Sequence, residues 1–355
     1  MKNILRCTAA LLSAAFLAAG LCMPQAAFAD TETGSEPEYF SHCKAGILYE
    51  ATTDTVLYEK NADEPLIPAS MTKVMTAIVT LEHNPDLSGE LTVCEDAVSD
   101  YYCSWMDYPH LVAGETISYY QCVEYMMLPS ANEAANALAF ELGSGDRAAF
   151  VQEMNDKAAD LGCESVYYLD PHGLSTANRV SARDMVTISQ YAMSFPVLKE
   201  ILSHESGVIP ANDLRSVDIE YSSILYPMWP DDRYENPYSD YITGLKTGWI
   251  PQSGYNYACC MEKDGLEYYI VAMGGDEEEY PDGSGRVWQG DFRDVIEILS
   301  LTDGLTADDL NAMHGGSAQP AVYIVTIGAG ILGAAVIVLL IFIGKRNLWN
   351  KKKST

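Results

Sequence analysis

Two short runs rich in apolar residues, 45–50 and 55–59, flank the polar stretch 51–54, which predicts a hairpin. Residues 70–81 read Ser-Met-Thr-Lys-Val-Met-Thr-Ala-Ile-Val-Thr-Leu. Past the first turn they are apolar on most sides, which predicts a buried helix. Helical spacing returns at about 117–128, 132–142, 146–161, 181–193 and 286–300. Three strand patterns then follow one another over about 242–249, 255–263 and 266–274. Lys263-Asp264-Gly265 supplies a hairpin turn between the last two. Strands at both ends with helices between them predict one α+β unit whose sheet is assembled from both termini. Residues 221–241, rich in Tyr, Pro and Asp, break the pattern and read as an irregular loop.

The two ends are patterned differently. Lys2 and Arg6 precede an apolar run from Thr8 to Leu21, and Ala27-Phe28-Ala29 offers a small-x-small cleavage site. That combination predicts a secretory signal over 1–29. Residues 321–344 carry no charge and reach about 36 Å as a helix, enough to cross a bilayer core of about 30 Å, so they predict a transmembrane helix. Five cations after Gly344 predict a cytoplasmic basic tail, 345–355. Residues 311–320, with two adjacent glycines and no periodicity, read as a linker. The expectation is a single-pass protein of the cell membrane with its folded unit, 30–310, outside.

Charge narrows the partners. The chain has 50 acids against 21 lysines and arginines, a net charge of −29, and neither terminal segment contains an acid. So acidic a surface repels phosphate backbones and excludes nucleic acid as a partner. At 48% hydrophobic and 20% charged, the chain is not a disordered one. Of its nine cysteines, all but Cys7 and Cys22 fall in the folded unit. That leaves an odd number with no C-x-x-C pair, so at least one thiol is expected free. The histidines show neither H-E-x-x-H nor H-x-H spacing, and nothing in the sequence suggests a metal.

Three short motifs carry candidate chemistry. Ser70 and Lys73, three apart at the start of the buried helix, share one face, so the amine can reach the hydroxyl. A serine cap would favour Glu or Gln at position 73, and a lysine in the first turn opposes the helix dipole. A nucleophile–base pair compensates for that cost. Alone the spacing is weak, since Ser41-His42-Cys43-Lys44 shares it. Ser130-Ala131-Asn132 lies in a tight turn between two helical patterns, where a Ser or Asn cap is the ordinary explanation. Lys246-Thr247-Gly248 lies on a predicted strand, where a glycine lets another backbone or a ligand approach closely.

Together, in this order and these contexts, the motifs resemble the signature of the penicilloyl serine transferases, the group of penicillin-binding proteins and serine β-lactamases. Pro68-Ala69-Ser70, Pro129-Ser130-Ala131-Asn132-Glu133-Ala134, Asp170-Pro171-His172-Gly173-Leu174 and Ser181-Ala182-Arg183-Asp184-Met185 resemble the low-molecular-mass D-alanyl-D-alanine carboxypeptidases, over about 40–300. The resemblance implies a β-lactamase/transpeptidase-like domain that removes the terminal D-Ala from peptidoglycan stem peptides. It implies β-lactam antibiotics as covalent inhibitors and no cofactor. Ser70 would be the nucleophile, Lys73 its proton acceptor and Ser130 the relay to the leaving amine. Asn132 would hold the substrate amide, Lys246 and Thr247 its terminal carboxylate. Gly248 and Trp249 complete the expected binding strand, and the N–H groups of Ser70 and Trp249 the oxyanion hole. Burial and the charge of Lys246 are both expected to depress the Lys73 pKa.

Some features depart from the family pattern. Trp249 stands where that branch often has His or another aromatic, and no carboxylate-binding arginine can be placed. Residues 301–320 leave no room for the usual β-rich second domain before the predicted span. Competing readings are a D,D-endopeptidase or transpeptidase with the same nucleophile, a serine β-lactamase, and a non-catalytic wall-binding protein. The β-lactamase reading lacks its deacylating segment, because Glu164-Ser165-Val166-Tyr167-Tyr168 does not match E-x-x-L-N.

Overall fold

Strand β1 (Ala45–Glu50) is buried along almost its whole length, which places it inside the sheet, whereas β2 (Thr55–Lys60) alternates and lies at an edge. They are joined by the predicted hairpin, whose turn is fastened by Glu50: its carboxylate accepts the N–H groups of Thr52 at 2.7 Å and Thr53 at 2.8 Å. The computed structural model describes residues 38–99, 109–224, 236–279 and 287–313. Of the two units into which the chain divides, Met1–Tyr39 and Phe40–Thr355, only Glu38 and Tyr39 of the first are described. The predicted signal, transmembrane helix and basic tail lie outside the described residues. Of the predicted linker, 311–313 instead form the last turn of a helix, Ala307–Met313. No helix among the described residues is long and apolar enough to cross a membrane.

After β2 come α1 (Thr72–His83), the short strands β3 (Glu90–Thr92) and β4 (Thr116–Ser118), then α2 (Tyr119–Met127), α3 (Asn132–Leu142) and α4 (Arg147–Asp160). Helices α5 (Ala182–Met193) and α6 (Pro196–Leu202) precede a second ribbon, β5 (Ser206–Ile209) and β6 (Ile219–Ser222). The chain then returns to the main sheet through β7 (Ile242–Ile250), β8 (Gly254–Lys263) and β9 (Leu266–Gly275). A short ribbon, β10 (Glu277–Glu279) and β11 (Val287–Gln289), leads into α7 (Gly290–Leu299), and Ala307–Met313 is α8. The main sheet has the order β2-β1-β9-β8-β7, every pair antiparallel, so strands from both ends of the unit are neighbours, as expected. Helices α5 and α7 both pack against β9. Adjacent Cys259 and Cys260 are both buried, and neighbours on a strand point to opposite faces, so both faces of the sheet are covered.

The structure corrects three boundaries. The pattern over 117–128 begins as strand β4, and helix α2 starts only after Ser118, whose hydroxyl accepts the N–H of Gln121 at 3.1 Å and caps it. The pattern over 286–300 likewise divides into β11 and α7. Within the supposed loop 221–241, Tyr221 and Ser222 end a strand, and Ser239–Tyr241 form a single 3-10 turn. Residues 225–235 lie outside the described residues. These short strands escape a periodicity argument because three or four residues carry almost no pattern.

The β8–β9 turn needs two left-handed residues, and Asp264 (φ +53°) and Gly265 (φ +80°) supply them. A Cβ at Gly265 would meet nothing within 4 Å. Gly265→Ala should therefore cost about 1 kcal/mol through backbone strain alone, read as a lower urea midpoint at unchanged m-value.

Candidate active site

Ser70 stands in a 3-10 turn, Ala69–Met71, that runs directly into α1, so the predicted helix start is the observed one. Helix α1 is buried from Thr72 to Leu81, which takes Lys73 with it: the lysine is 0% exposed. A buried ammonium must find acceptors. The Lys73 Nζ donates to Ser70 Oγ at 3.0 Å, to Asn132 Oδ1 at 2.7 Å and to the carbonyl of His172 at 2.8 Å. The first contact is the one that the Ser-x-x-Lys spacing predicts. The second joins the Ser130-Ala131-Asn132 turn to it.

The third acceptor comes from a loop that sequence reasoning noted only as a family likeness. Asp170 folds 170–175 around its own carboxylate, accepting the N–H groups of His172 at 3.1 Å, Gly173 at 2.5 Å and Ser175 at 2.5 Å. The loop then presents two carbonyls to α1, that of His172 to Lys73 and that of Pro171 to Thr76 Oγ1 at 2.6 Å. Gly173 (φ +93°) lies so close to the turn that carries Ser70 that a Cβ there would fall 1.9 Å from the carbonyl oxygen of Ala69. Asp-Pro-His-Gly was the available signal: an Asx-type turn with a glycine at the tight approach.

Lys246 and Thr247 enter from β7, which lies at the sheet edge opposite β2. Its register shifts between Gly244 and Lys246. Gly248 permits the close approach expected of it: a Cβ there would lie 2.4 Å from the Pro68 carbonyl oxygen and 3.1 Å from the Ser70 nitrogen. Lys246 is 0% exposed, and its Nζ donates to the Thr247 carbonyl at 3.2 Å. Trp249 is 42% exposed, its ring 6.0 Å from that of Tyr255.

Ser130 occupies the turn between α2 and α3 in the left-handed region, φ +72°. Such a conformation costs about 1–2 kcal/mol for a residue with a Cβ. The turn is held on both sides, the Ala131 N–H donating to Tyr125 O at 3.2 Å and the Ile224 N–H to Leu128 O at 3.0 Å. The Ser130 hydroxyl is buried and has no hydrogen-bond partner among the described residues. Ser70, Ser130, Thr247, Gly248 and Trp249 line one cavity of about 490 Å³.

Electrostatics follow from burial. Desolvation lowers the Lys73 pKa to about 7, against the opposing pull of the Asp170 and Glu133 carboxylates. Glu133, itself buried, is held by the Tyr125 hydroxyl at 3.1 Å and His110 Nδ1 at 3.2 Å. Lys246 is depressed as well. Burial lowers both amines, and the charge of Lys73 lowers Lys246 further; the repulsion between two neighbouring ammonium groups acts on both. Six cysteines among the described residues are free thiols, as the odd count required of at least one. No metal-binding cluster occurs among the described residues.

Comparison with known proteins bears on this arrangement directly. The model of the D-alanyl-D-alanine carboxypeptidase family, peptidase S11, matches residues 30–277. The chain belongs to that family. A D-alanyl-D-alanine carboxypeptidase of Bacillus subtilis (strain 168) is 25% identical over 257 residues, 72% of this chain and 63% of the relative's own length. A D-alanyl-D-alanine carboxypeptidase of Streptomyces sp. (strain K15) is 31% identical over 216 residues, 57% of this chain and 70% of that protein. A D-alanyl-D-alanine endopeptidase of Haemophilus influenzae is 28% identical over 218 residues, 61% of this chain and 70% of that protein. Among solved structures, the Streptomyces K15 DD-transpeptidase superposes with a TM-score of 0.62 at 24% identity, covering 77% of this chain and 100% of that one. Penicillin-binding protein D2 of Listeria monocytogenes, in an ampicillin-bound form, gives 0.55 at 24% identity over 75% of this chain and 99% of that one. These likenesses uphold the penicillin-binding-protein fold.

An amine with a pKa of about 7 sets the pH dependence. Below 7 the protonated amine cannot accept a proton from Ser70, so covalent labelling by benzylpenicillin should fall about tenfold per pH unit and level off above 7. Lys73→Arg keeps the charge but not the titration and should lose about 100-fold or more in labelling rate, with its circular dichroism intact. Equal labelling by this variant and the parent would make Lys73 an electrostatic anchor.

Proposed function

We propose that the chain is a serine-type D-Ala-D-Ala carboxypeptidase that removes the terminal D-Ala from peptidoglycan stem peptides through an acyl-enzyme on Ser70. One observation carries the reading. The Ser70 hydroxyl sits 3.0 Å from a wholly buried amine whose pKa is about 7, on the wall of a cavity that the Lys-Thr-Gly strand also lines. Neutral Lys73 takes the Ser70 proton as Oγ attacks the carbonyl carbon of the terminal peptide bond. The N–H groups of Ser70 and Trp249 receive the oxyanion. Ser130, whose hydroxyl has no hydrogen-bond partner among the described residues, gives its proton to the departing D-Ala nitrogen and takes back the one held by the Lys73 ammonium. Water then attacks the ester, releases the shortened peptide and restores Ser70.

Binding follows from the strand edge. β7 pairs with β8 on one side, so a peptide can lie along its other side as a further strand. Lys246 and Thr247 hold the terminal carboxylate, whose charge offsets the repulsion between the two buried amines. Asn132 holds the substrate amide while tying down Lys73. A β-lactam, presenting a strained amide to the same nucleophile, would be a covalent inhibitor. D,D-endopeptidase action is the second reading, supported by the endopeptidase name of the Haemophilus influenzae relative.

Mass spectrometry of the protein with a stem peptide ending in D-Ala-D-Ala should show release of one D-Ala. With benzylpenicillin it should show a slowly hydrolysed adduct on Ser70. An adduct on another residue, or none, would overturn the assignment, and preferential cleavage of cross-linked dimers would favour the endopeptidase.

The membrane placement belongs to the same proposal. Residues 1–29 serve as the export signal and 321–344 as the single span, joined to the folded unit by the remainder of the linker, with that unit outside the cell. Protease added to intact cells should then remove nearly all of the protein, whereas protection of the folded unit would reverse the topology.

A further inference from the structure

Helix α3 begins without a side-chain cap. Its N-cap is Ala131, which has no side chain to accept from the first N–H groups, so the helix start lacks the usual fastening. The polar residues on either side are not available for that task. Asn132 Oδ1 accepts from Lys73, and the buried Ser130 hydroxyl has no hydrogen-bond partner among the described residues. Ser130 also holds left-handed backbone, at φ +72°. A strained turn of this kind persists only where its surroundings fix it. Something other than a cap must therefore hold it.

Tyr125, on α2, grips the far side of the turn twice. Its carbonyl accepts the Ala131 N–H at 3.2 Å, and its hydroxyl donates to Glu133 Oε1 at 3.1 Å. Main chain and side chain of one residue thus close the segment 125–133 on itself, with Ser130 inside the closed loop. Both partners are buried, and the Tyr125 ring lies 5.1 Å from that of Tyr221, so the phenol is fixed in place. Glu133 stands in the first turn of α3, where a carboxylate also suits the helix dipole. From other segments it faces His110 Nδ1 at 3.2 Å and acts on the Lys73 amine.

We propose that Tyr125 and Glu133 are positioning residues for proton delivery by Ser130. Their hydrogen bond holds the turn in its left-handed form, which leaves the Ser130 hydroxyl uncommitted on the cavity wall. This rests on the carboxypeptidase reading above. In the step concerned, the C–N bond of the terminal peptide link breaks and an N–H bond forms on the departing nitrogen. The proton comes from Ser130, which is reprotonated by the Lys73 ammonium. Tyr125 and Glu133 touch neither the substrate nor the transferred proton and act only through the shape of the turn.

Two substrates separate proton delivery from the steps they share: diacetyl-L-Lys-D-Ala-D-Ala, and diacetyl-L-Lys-D-Ala joined to thioglycolate, which keeps a terminal carboxylate. An amide nitrogen departs only as it gains a proton, whereas a thiol with a pKa of about 8.5 departs as the thiolate. Proton removal from Ser70 by Lys73 and the oxyanion contacts are common to both, so damage there lowers both alike. Tyr125→Phe removes one oxygen and keeps the ring against Tyr221. Its kcat/KM should fall about tenfold for the amide and stay within about twofold for the thiolester. Glu133→Gln retains an oxygen that accepts from the phenol and should keep the ratio between the substrates within about threefold of the native value. Loss of both activities together in Tyr125→Phe, or of neither, overturns the inference and leaves the carboxypeptidase reading standing. Failure of the native protein to release D-Ala overturns that reading and the inference with it.

Discussion

The Lys73 amine is the constraint on which the site depends. It is buried, and burial obliges it to collect three acceptors from three separate parts of the chain: its own helix turn, the turn that opens α3, and the loop organised by Asp170. None of these segments is near another in sequence. Each is brought in because a desolvated ammonium without partners would cost several kcal/mol. The same burial lowers its pKa into the neutral range. Structural cohesion and chemical competence therefore share one cause.

Close backbone approach is the second requirement. Gly248 and Gly173 press from different segments on the turn that carries Ser70, and neither contact has room for a Cβ. Ala69 (φ +47°) and Ser130 (φ +72°) adopt left-handed backbone in the two turns that bear the hydroxyls. Strain of this kind, of order 1–3 kcal/mol per residue, persists only where surrounding packing over-determines the conformation. Here it does, since α1 and the turn before α3 are buried on nearly every side.

Much of this was legible in the sequence because the motifs combine a local geometry with a chemical type. Ser70 and Lys73 meet through helix spacing, and Lys263-Asp264-Gly265 turns as its residues demand. Strand patterns at both ends anticipated a sheet assembled from both termini, though not the order of its strands. What escaped was long-range. The placement of the His172 carbonyl on Lys73 links residues 99 positions apart, and no spacing rule reaches that far. The carboxylates of Asp170 and Glu133, which oppose the lowering of the Lys73 pKa, also reach it from distant segments. Short strands such as β4 and β11 hid inside helical patterns that continue past them.

The sheet order has a temporal consequence. β1 ends at Glu50, yet its inner neighbour β9 begins at Leu266. β7, which bears Lys246, is joined to β1 only through β8 and β9. As the chain emerges from its N-terminus, Ser70 and Lys73 are available long before the strand that faces them, and closing so long a loop is slow. Ser70 and Lys73 therefore exist without the strand that carries Lys246, Thr247 and Trp249 until the last third of the unit has been made. The pocket around Ser70 is thus closed by the part of the chain made last, once β7, β8 and β9 have joined β1.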